Sequence, residues 1–154
     1  MSAYSVLLFL HSWLRWFVLG AGLVAVYRGY VGWTGRRAFA KGDNAFGASF
    51  VGFMLLQLIV GLGLYFGLSP VGLKAMKVAG AMKDPTTRFF GMEHVVMMVL
   101  AVLIAQIGRT LSKKRLSDVQ KHKTAFIYYG IALLLVLLMI PWGIWNPARP
   151  LFRF

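Results

Sequence analysis

Cysteine is absent from the 154 residues. Disulfides, thiolate metal sites, iron–sulfur clusters, thioether-attached haem and cysteine nucleophiles are therefore excluded. Acid is nearly absent, with 4 Asp and Glu against 17 Lys and Arg and a formal net charge of +13. Charge of either sign is scarce, at 14% of residues against roughly 25% in ordinary soluble domains. The chain also lacks a phosphate loop, a dinucleotide fingerprint, a His-Glu-x-x-His pair and a Gly-x-Ser-x-Gly elbow. Ser12 follows His11, but adjacent positions on a helix do not face each other, so no nucleophile–base pair arises there. What the chain has in excess is apolar surface. Hydrophobic residues reach 59%, against roughly 45–50% in soluble domains. A single domain of this length cannot hide that much from water, so the surplus must face lipid. The composition excludes a disordered chain, a coiled coil and a soluble enzyme.

Four apolar runs are long enough to cross about 30 Å of hydrocarbon at about 1.5 Å per residue. They cover about 3–27, 48–68, 89–108 and 124–142. The last three hold one charged residue, Glu93, and the first holds Arg15. Backbone groups in lipid need internal partners, and the runs lack period-two alternation, so helices are expected, not strands. The first run has no basic leader and no small-residue cleavage site, which makes it a retained helix. Short connections favour an all-α membrane protein, an antiparallel bundle of four transmembrane helices forming one domain over 1–154.

The connections alternate sides. Arg28, Arg36, Arg37, Lys41, Arg109, Lys113, Lys114, Arg115, Lys121 and Lys123 fall on one side. Lys74, Lys77, Lys83, Arg88, Arg149 and Arg153 fall on the other. The positive-inside rule puts the first set in the cytoplasm and both termini outside, in a bacterial inner (plasma) membrane. The cations read as loop charge that meets anionic lipid, and no base-reading motif accompanies them, so nucleic acid is not an expected partner. Lys41-Gly42-Asp43-Asn44 reads as a turn with a helix cap. Asp84 reads as an N-cap with Pro85 at the first helical position. Between them, 71–82 mixes apolar residues with Lys74 and Lys77 and reads as a short interfacial helix. Gly52, Gly61, Gly63 and Gly67 are expected to let span two approach its neighbours. Pro141 ends span four, Trp142 and Trp145 suit an interfacial aromatic belt, and 143–154 form an extended tail.

Ionisable groups within a span cost roughly 2.5–3.5 kcal/mol each for Arg, Lys or Asp, so each poses a functional question. Here they are His11 and Arg15 in span one and Glu93 and His94 in span three, with Gln57 and Gln106 as neutral polar groups. His11 lies about 12 Å along its span and His94 about 8 Å along its own, and the two spans run in the same direction. The two imidazoles therefore fall at similar depth in the outer half of the bilayer. Two histidines at one level of a bundle can hold one haem iron from opposite faces. Arg88 at the mouth of span three, and Arg15 one turn below His11, are the cations for haem propionates. Glu93 either handles a proton during quinol chemistry or neutralises Arg15 or Arg88. No other histidine pair exists, so one haem b is expected, not two. His122, between Lys121 and Lys123, reads as a headgroup contact. Met92, Met97 and Met98 read as packing residues, with a copper site from His11, His94 and one methionine as the lesser alternative.

The residues gathered so far resemble a set of small bacterial four-helix membrane proteins, common in Bacteroidetes-type genomes and often labelled cytochrome b. The matching pieces are His11-Ser12-Trp13-Leu14-Arg15-Trp16, Lys41-Gly42-Asp43-Asn44, Gln57, Gly61-Leu62-Gly63-Leu64-Tyr65 and Met82-Lys83-Asp84. They continue with Arg88, Glu93-His94, Lys121-His122-Lys123 and Ile140-Pro141-Trp142, spanning nearly the whole chain. The chain is more loosely similar to four-helix di-haem b-type cytochromes, from which it departs by having too few histidines. The resemblance implies a mono-haem membrane protein, or a relative that kept the bundle and lost the haem. The leading expectation is thus a membrane-embedded mono-haem b-type cytochrome carrying single electrons near the outer face, to or from quinol or a partner redox protein. It assigns no catalytic residue. The rival is a non-catalytic accessory subunit of a larger respiratory or photosynthetic membrane complex, or a homo-oligomer. A small metal or solute transporter is less expected, because no inverted repeat is visible.

Overall fold

A computed structural model describes residues 2–142 and Phe152. Its helices are α1 (Ala3–Thr34), α2 (Lys41–Gly63), α3 (Leu73–Met76), α4 (Pro85–Arg88), α5 (His94–Lys114) and α6 (Asp118–Met139). Two π-helical turns join this set, Leu64–Leu68 continuing α2 and Phe89–Glu93 linking α4 to α5. A short 3-10 turn covers Ala81–Lys83. No strand occurs among the described residues. Four helical segments are long and apolar enough to cross a membrane: Ala3–Thr34, Lys41–Leu68, Pro85–Lys114 and Asp118–Met139. The chain is a multi-pass, all-α membrane protein built as a four-helix bundle.

α1 packs against α2 and α6, while α5 packs against α6 and more lightly against α2. α1 and α5 therefore face each other across the diagonal. Phe50, Ala101, Ala105 and Ala132 are fully enclosed, and the alanines let α5 and α6 approach closely. Leu23, Ile59, Leu103 and Leu134 stand more than half exposed, as side chains do whose solvent is lipid.

The helices outrun the apolar runs because caps, not hydropathy, set their ends. α1 continues to Thr34, beyond the expected 27, and Gly35 closes it with an N–H to the Val31 carbonyl. α2 starts at Lys41, not 48, so Lys41-Gly42-Asp43-Asn44 is a first helical turn and not a turn before the helix. Asp43 holds that start by accepting from the Ala40 N–H at 2.8 Å. The third span begins at Pro85 as Asp84 dictates, its carboxylate accepting from the Thr87 N–H at 2.7 Å. α6 starts at Asp118 under a Ser117 cap and ends at Met139, short of 142. The expected helix over 71–82 is broken into α3 and the 3-10 turn, with Gly80 in the left-handed region (φ 81°) between them. Gly52 and Gly67 border open space, so of the four span-two glycines only Gly61 and Gly63 meet another helix. Trp142 is half-buried against the core and donates from Nε1 to the Leu137 carbonyl at 2.9 Å. The readings placed on Trp145, Arg149, Arg153 and the tail other than Phe152 lie outside the described residues.

Candidate functional site

α1 delivers His11 and α5 delivers His94 to the same level of the bundle, with ring centres 6.4 Å apart and planes inclined by 65°. Both line a cavity of about 160 Å³, which is why each keeps some accessible surface although the bundle encloses it. Apolar side chains including Leu8, Val18, Met54 and Val102 form most of the remaining wall. Phe89 and Phe90 pack on the His94 ring at 5.8 and 6.2 Å.

Local backbone geometry explains how His94 is presented. Its N–H bonds back five residues to the Phe89 carbonyl, so it sits at the exit of the π turn. Tyr65 Oη donates to the Gly91 carbonyl at 3.0 Å, supplying a donor to that turn from the π turn of the α2 segment. His94 Nδ1 lies 3.0 Å from the Met139 carbonyl. That carbonyl is free because α6 stops there, two residues before Pro141. A carbonyl only accepts, so Nδ1 carries the ring proton and Nε2 keeps its lone pair.

His11 is held by α2. Gln57 Nε2 donates to the His11 carbonyl at 2.9 Å, which fixes the backbone beneath the ring. Gly61 lies against the ring edge, where a Cβ would stand 3.0 Å from Cε1. Neither Gln57 Oε1 nor His11 Nδ1 has a formed hydrogen bond.

The other expected site residues divide. Arg15 lines the cavity, with its guanidinium carbon 5.4 Å from the Trp16 ring centre. Arg88 does not line it. Arg88 Nε donates to Glu93 Oε1 at 2.7 Å, and both side chains remain over a third exposed. Glu93 thus neutralises Arg88, a pairing five residues apart that the π turn makes possible. Of the three methionines near His94, Met98 alone lines the cavity, and Met92 faces outward.

Two imidazoles bonded to one metal from opposite sides, at about 2 Å each, have ring centres roughly 6 Å apart. The observed 6.4 Å separation is compatible with two imidazoles that would share one metal. The enclosed volume is below the roughly 300–1,000 Å³ of pockets that take whole ligands. A porphyrin would enter only with rotation of wall side chains such as Leu58, Leu62 and Met98, none of them fully buried. A bare ion is less well served: among the described residues no group of three His, Cys, Asp or Glu converges.

The opposite end holds a constellation that the sequence reading missed. His122 is 2% exposed, so it does not meet headgroups as expected. Helical geometry turns it about 100° from each neighbour, so the flanking lysines do not report its facing. It lies against Gly32, where no side chain would fit, and under the Phe39 ring at 5.0 Å. Its Nε2 is 4.0 Å from Asp43 Oδ2, and Asp43 Oδ1 accepts from Arg28 Nε at 2.8 Å. The sequence carried little signal for it: Arg28 and Asp43 stand 15 residues apart, and only the scarcity of acids, 4 in the chain, singled out Asp43.

No family model, no curated protein and no solved structure matches the chain.

Proposed function

We propose that this chain is a membrane-embedded mono-haem b-type cytochrome, in which His11 and His94 would hold the haem iron. The observation that carries the reading is the 6.4 Å separation of the two rings across the bundle diagonal, beside a cavity walled mainly by apolar side chains. When bound, haem b supplies reversible one-electron transfer. The protein's own part is to hold two imidazole nitrogens at fixed spacing, to exclude water with Val102, Met54 and the Phe89–Phe90 pair, and to set a cation beside the site. Arg15 is the cavity's guanidinium and is assigned to a propionate. Arg88 is assigned to Glu93 and acts on the site only through its charge. We assign the histidine end to the outer side of a bacterial inner membrane, with both termini outside, a reading supported by the greater number of basic residues in the loops at the far end. Electron exchange would then be with quinol or a partner redox protein near that face.

The test is an absorption spectrum of the purified full chain in detergent, oxidised and dithionite-reduced. Sharp reduced bands with a Soret shift are expected. His11→Ala and His94→Ala should each abolish the low-spin spectrum, and His122→Asn should keep it. A colourless protein of full helicity, expressed with haem available, overturns the reading and leaves the accessory-subunit alternative.

A further inference from the structure

We propose that the end of α5 carries a binding site for one anionic phospholipid, its phosphate taken by Arg109, Lys113 and Lys114 and its acyl chains by the apolar strip beneath them. The site stands apart from the cytochrome reading and needs no cofactor.

The cations at this end of the bundle are not equivalent. Arg28 Nε pairs with Asp43 at 2.8 Å, and Lys121 Nζ pairs with Asp118 at 2.9 Å. The chain's other two acids, Asp84 and Glu93, belong to the histidine end. Arg115 Nε donates to Thr124 Oγ1 at 3.3 Å, and Lys123 Nζ lies 5.3 Å from the Trp33 ring centre. Among the described residues no carboxylate pairs with Arg109, Lys113 or Lys114. These three share one open concavity with Gln106 and Thr110. Spacings of three and four residues put all five on one side of α5. The last carbonyls of the helix account for lysines in its final turn. They do not account for Arg109, which stands more than a turn earlier.

Position decides the class of ligand. The same side of α5 continues downward as Leu100, Leu103 and Ile107, each close to half exposed, where lipid is the solvent. The apolar run ends at 108, and Arg109 follows it directly. From Arg109 to Lys113 the helix rises about 6 Å, which matches the roughly 5–7 Å of headgroup layer on each side of the hydrocarbon. Arg109 is half-buried and Lys113 and Lys114 are exposed, as cations at the hydrocarbon edge and above it should be. A free anion uses only the upper part of this surface. A phospholipid uses all of it, with a phosphate level with the cations and chains along Leu103 and Ile107. Thr110 Oγ1 spends its proton on the Gln106 carbonyl at 3.0 Å, so toward a ligand it is an acceptor. That acceptor suits a headgroup with hydroxyls of its own, as in phosphatidylglycerol.

The experiment is native mass spectrometry of the full chain in detergent, with phosphatidylglycerol and phosphatidylcholine added in equal amounts. Wild type should keep one phosphatidylglycerol in preference to phosphatidylcholine. Arg109→Gln with Lys113→Gln should weaken that binding about 25-fold, about fivefold for each cation removed. Arg36→Gln with Arg37→Gln takes the same charge from the same end and should leave the binding unchanged. Equal loss in both double variants overturns the site and leaves only diffuse surface charge. Excess inorganic phosphate at constant ionic strength should not displace the lipid, and full displacement would reassign the concavity to free phosphate and overturn the lipid. Equal retention of phosphatidylcholine overturns it as well. No outcome bears on the absorption spectrum, so the lipid site and the haem reading fail separately.

Discussion

At one end of the bundle two histidines border a cavity of about 160 Å³; at the other, His122 is pressed between Gly32 and Phe39 with 2% of its surface exposed. The same residue type is treated in opposite ways. The first end leaves volume and gives one ring a carbonyl partner, so a lone pair remains for a guest. The second end removes volume and sets Asp43, itself paired with Arg28, 4.0 Å from the ring, so no space remains for a guest. The contrast teaches that a histidine within a span is read by what surrounds its free nitrogen, a space or a side chain, more than by its depth.

The largest expected effect breaks the packed end. Asp43→Ala strands Arg28, removes the acceptor of the Ala40 N–H and leaves His122 without its carboxylate neighbour. With Asp43 95% enclosed and Arg28 partly exposed, the loss should be about 2–4 kcal/mol, read as a lowered melting temperature in detergent. An unchanged melt would show that the cluster does not hold the two helices together.

Next in size is a matched pair of glycine substitutions that sharpens the comparison. Gly32→Ala forces a methyl into the His122 ring, which has no room to retreat, and should cost about 1–3 kcal/mol. Gly61→Ala meets a ring that borders a cavity and should cost less than about 1 kcal/mol while altering His11. Equal destabilisation at both sites would erase the distinction between the ends.

A smaller effect probes the histidine end alone. Tyr65→Phe deletes the donor to the Gly91 carbonyl and should cost about 1 kcal/mol. Faster amide exchange in 89–94 would accompany it. Protection there at the wild-type level would remove Tyr65 from the support of the π turn.

The smallest effect is a pH dependence at the exposed start of α4. The Asp84 carboxyl is held below its ordinary 3.8, first by the Thr87 side chain and then by the Thr87 N–H. Because the folded value is depressed, the cap contributes fully above 3.8 and is lost as pH falls through the folded value. Thr87 amide protection should decline over that acid range and become pH-independent in Asp84→Asn.

The sequence made the bundle legible because its apolar runs are long and nearly uncharged, and because Asp84-Pro85 is an unambiguous helix start. It made the pairing of His11 and His94 legible through depth alone, since equal rise from parallel starts brings the rings level. The π turns were not legible. Their extra residue leaves no mark on composition, and only the Arg88–Glu93 spacing of five hints at one. The His122 cluster was hidden by its lysine neighbours, whose exposure says nothing about a position turned inward between them.

The five-residue turn at Phe89–Glu93 has a consequence for how the third span tolerates change. It works as a phase slip between two stretches of one rod. Residues ahead of it can rotate their facing toward headgroups without dragging His94 off the axis. Removing one residue between Arg88 and Glu93 should restore ordinary winding, keep the two paired at a spacing of four and leave His94 where it stands. Removing one residue after His94 should instead swing the whole inward stripe of α5 toward the acyl chains.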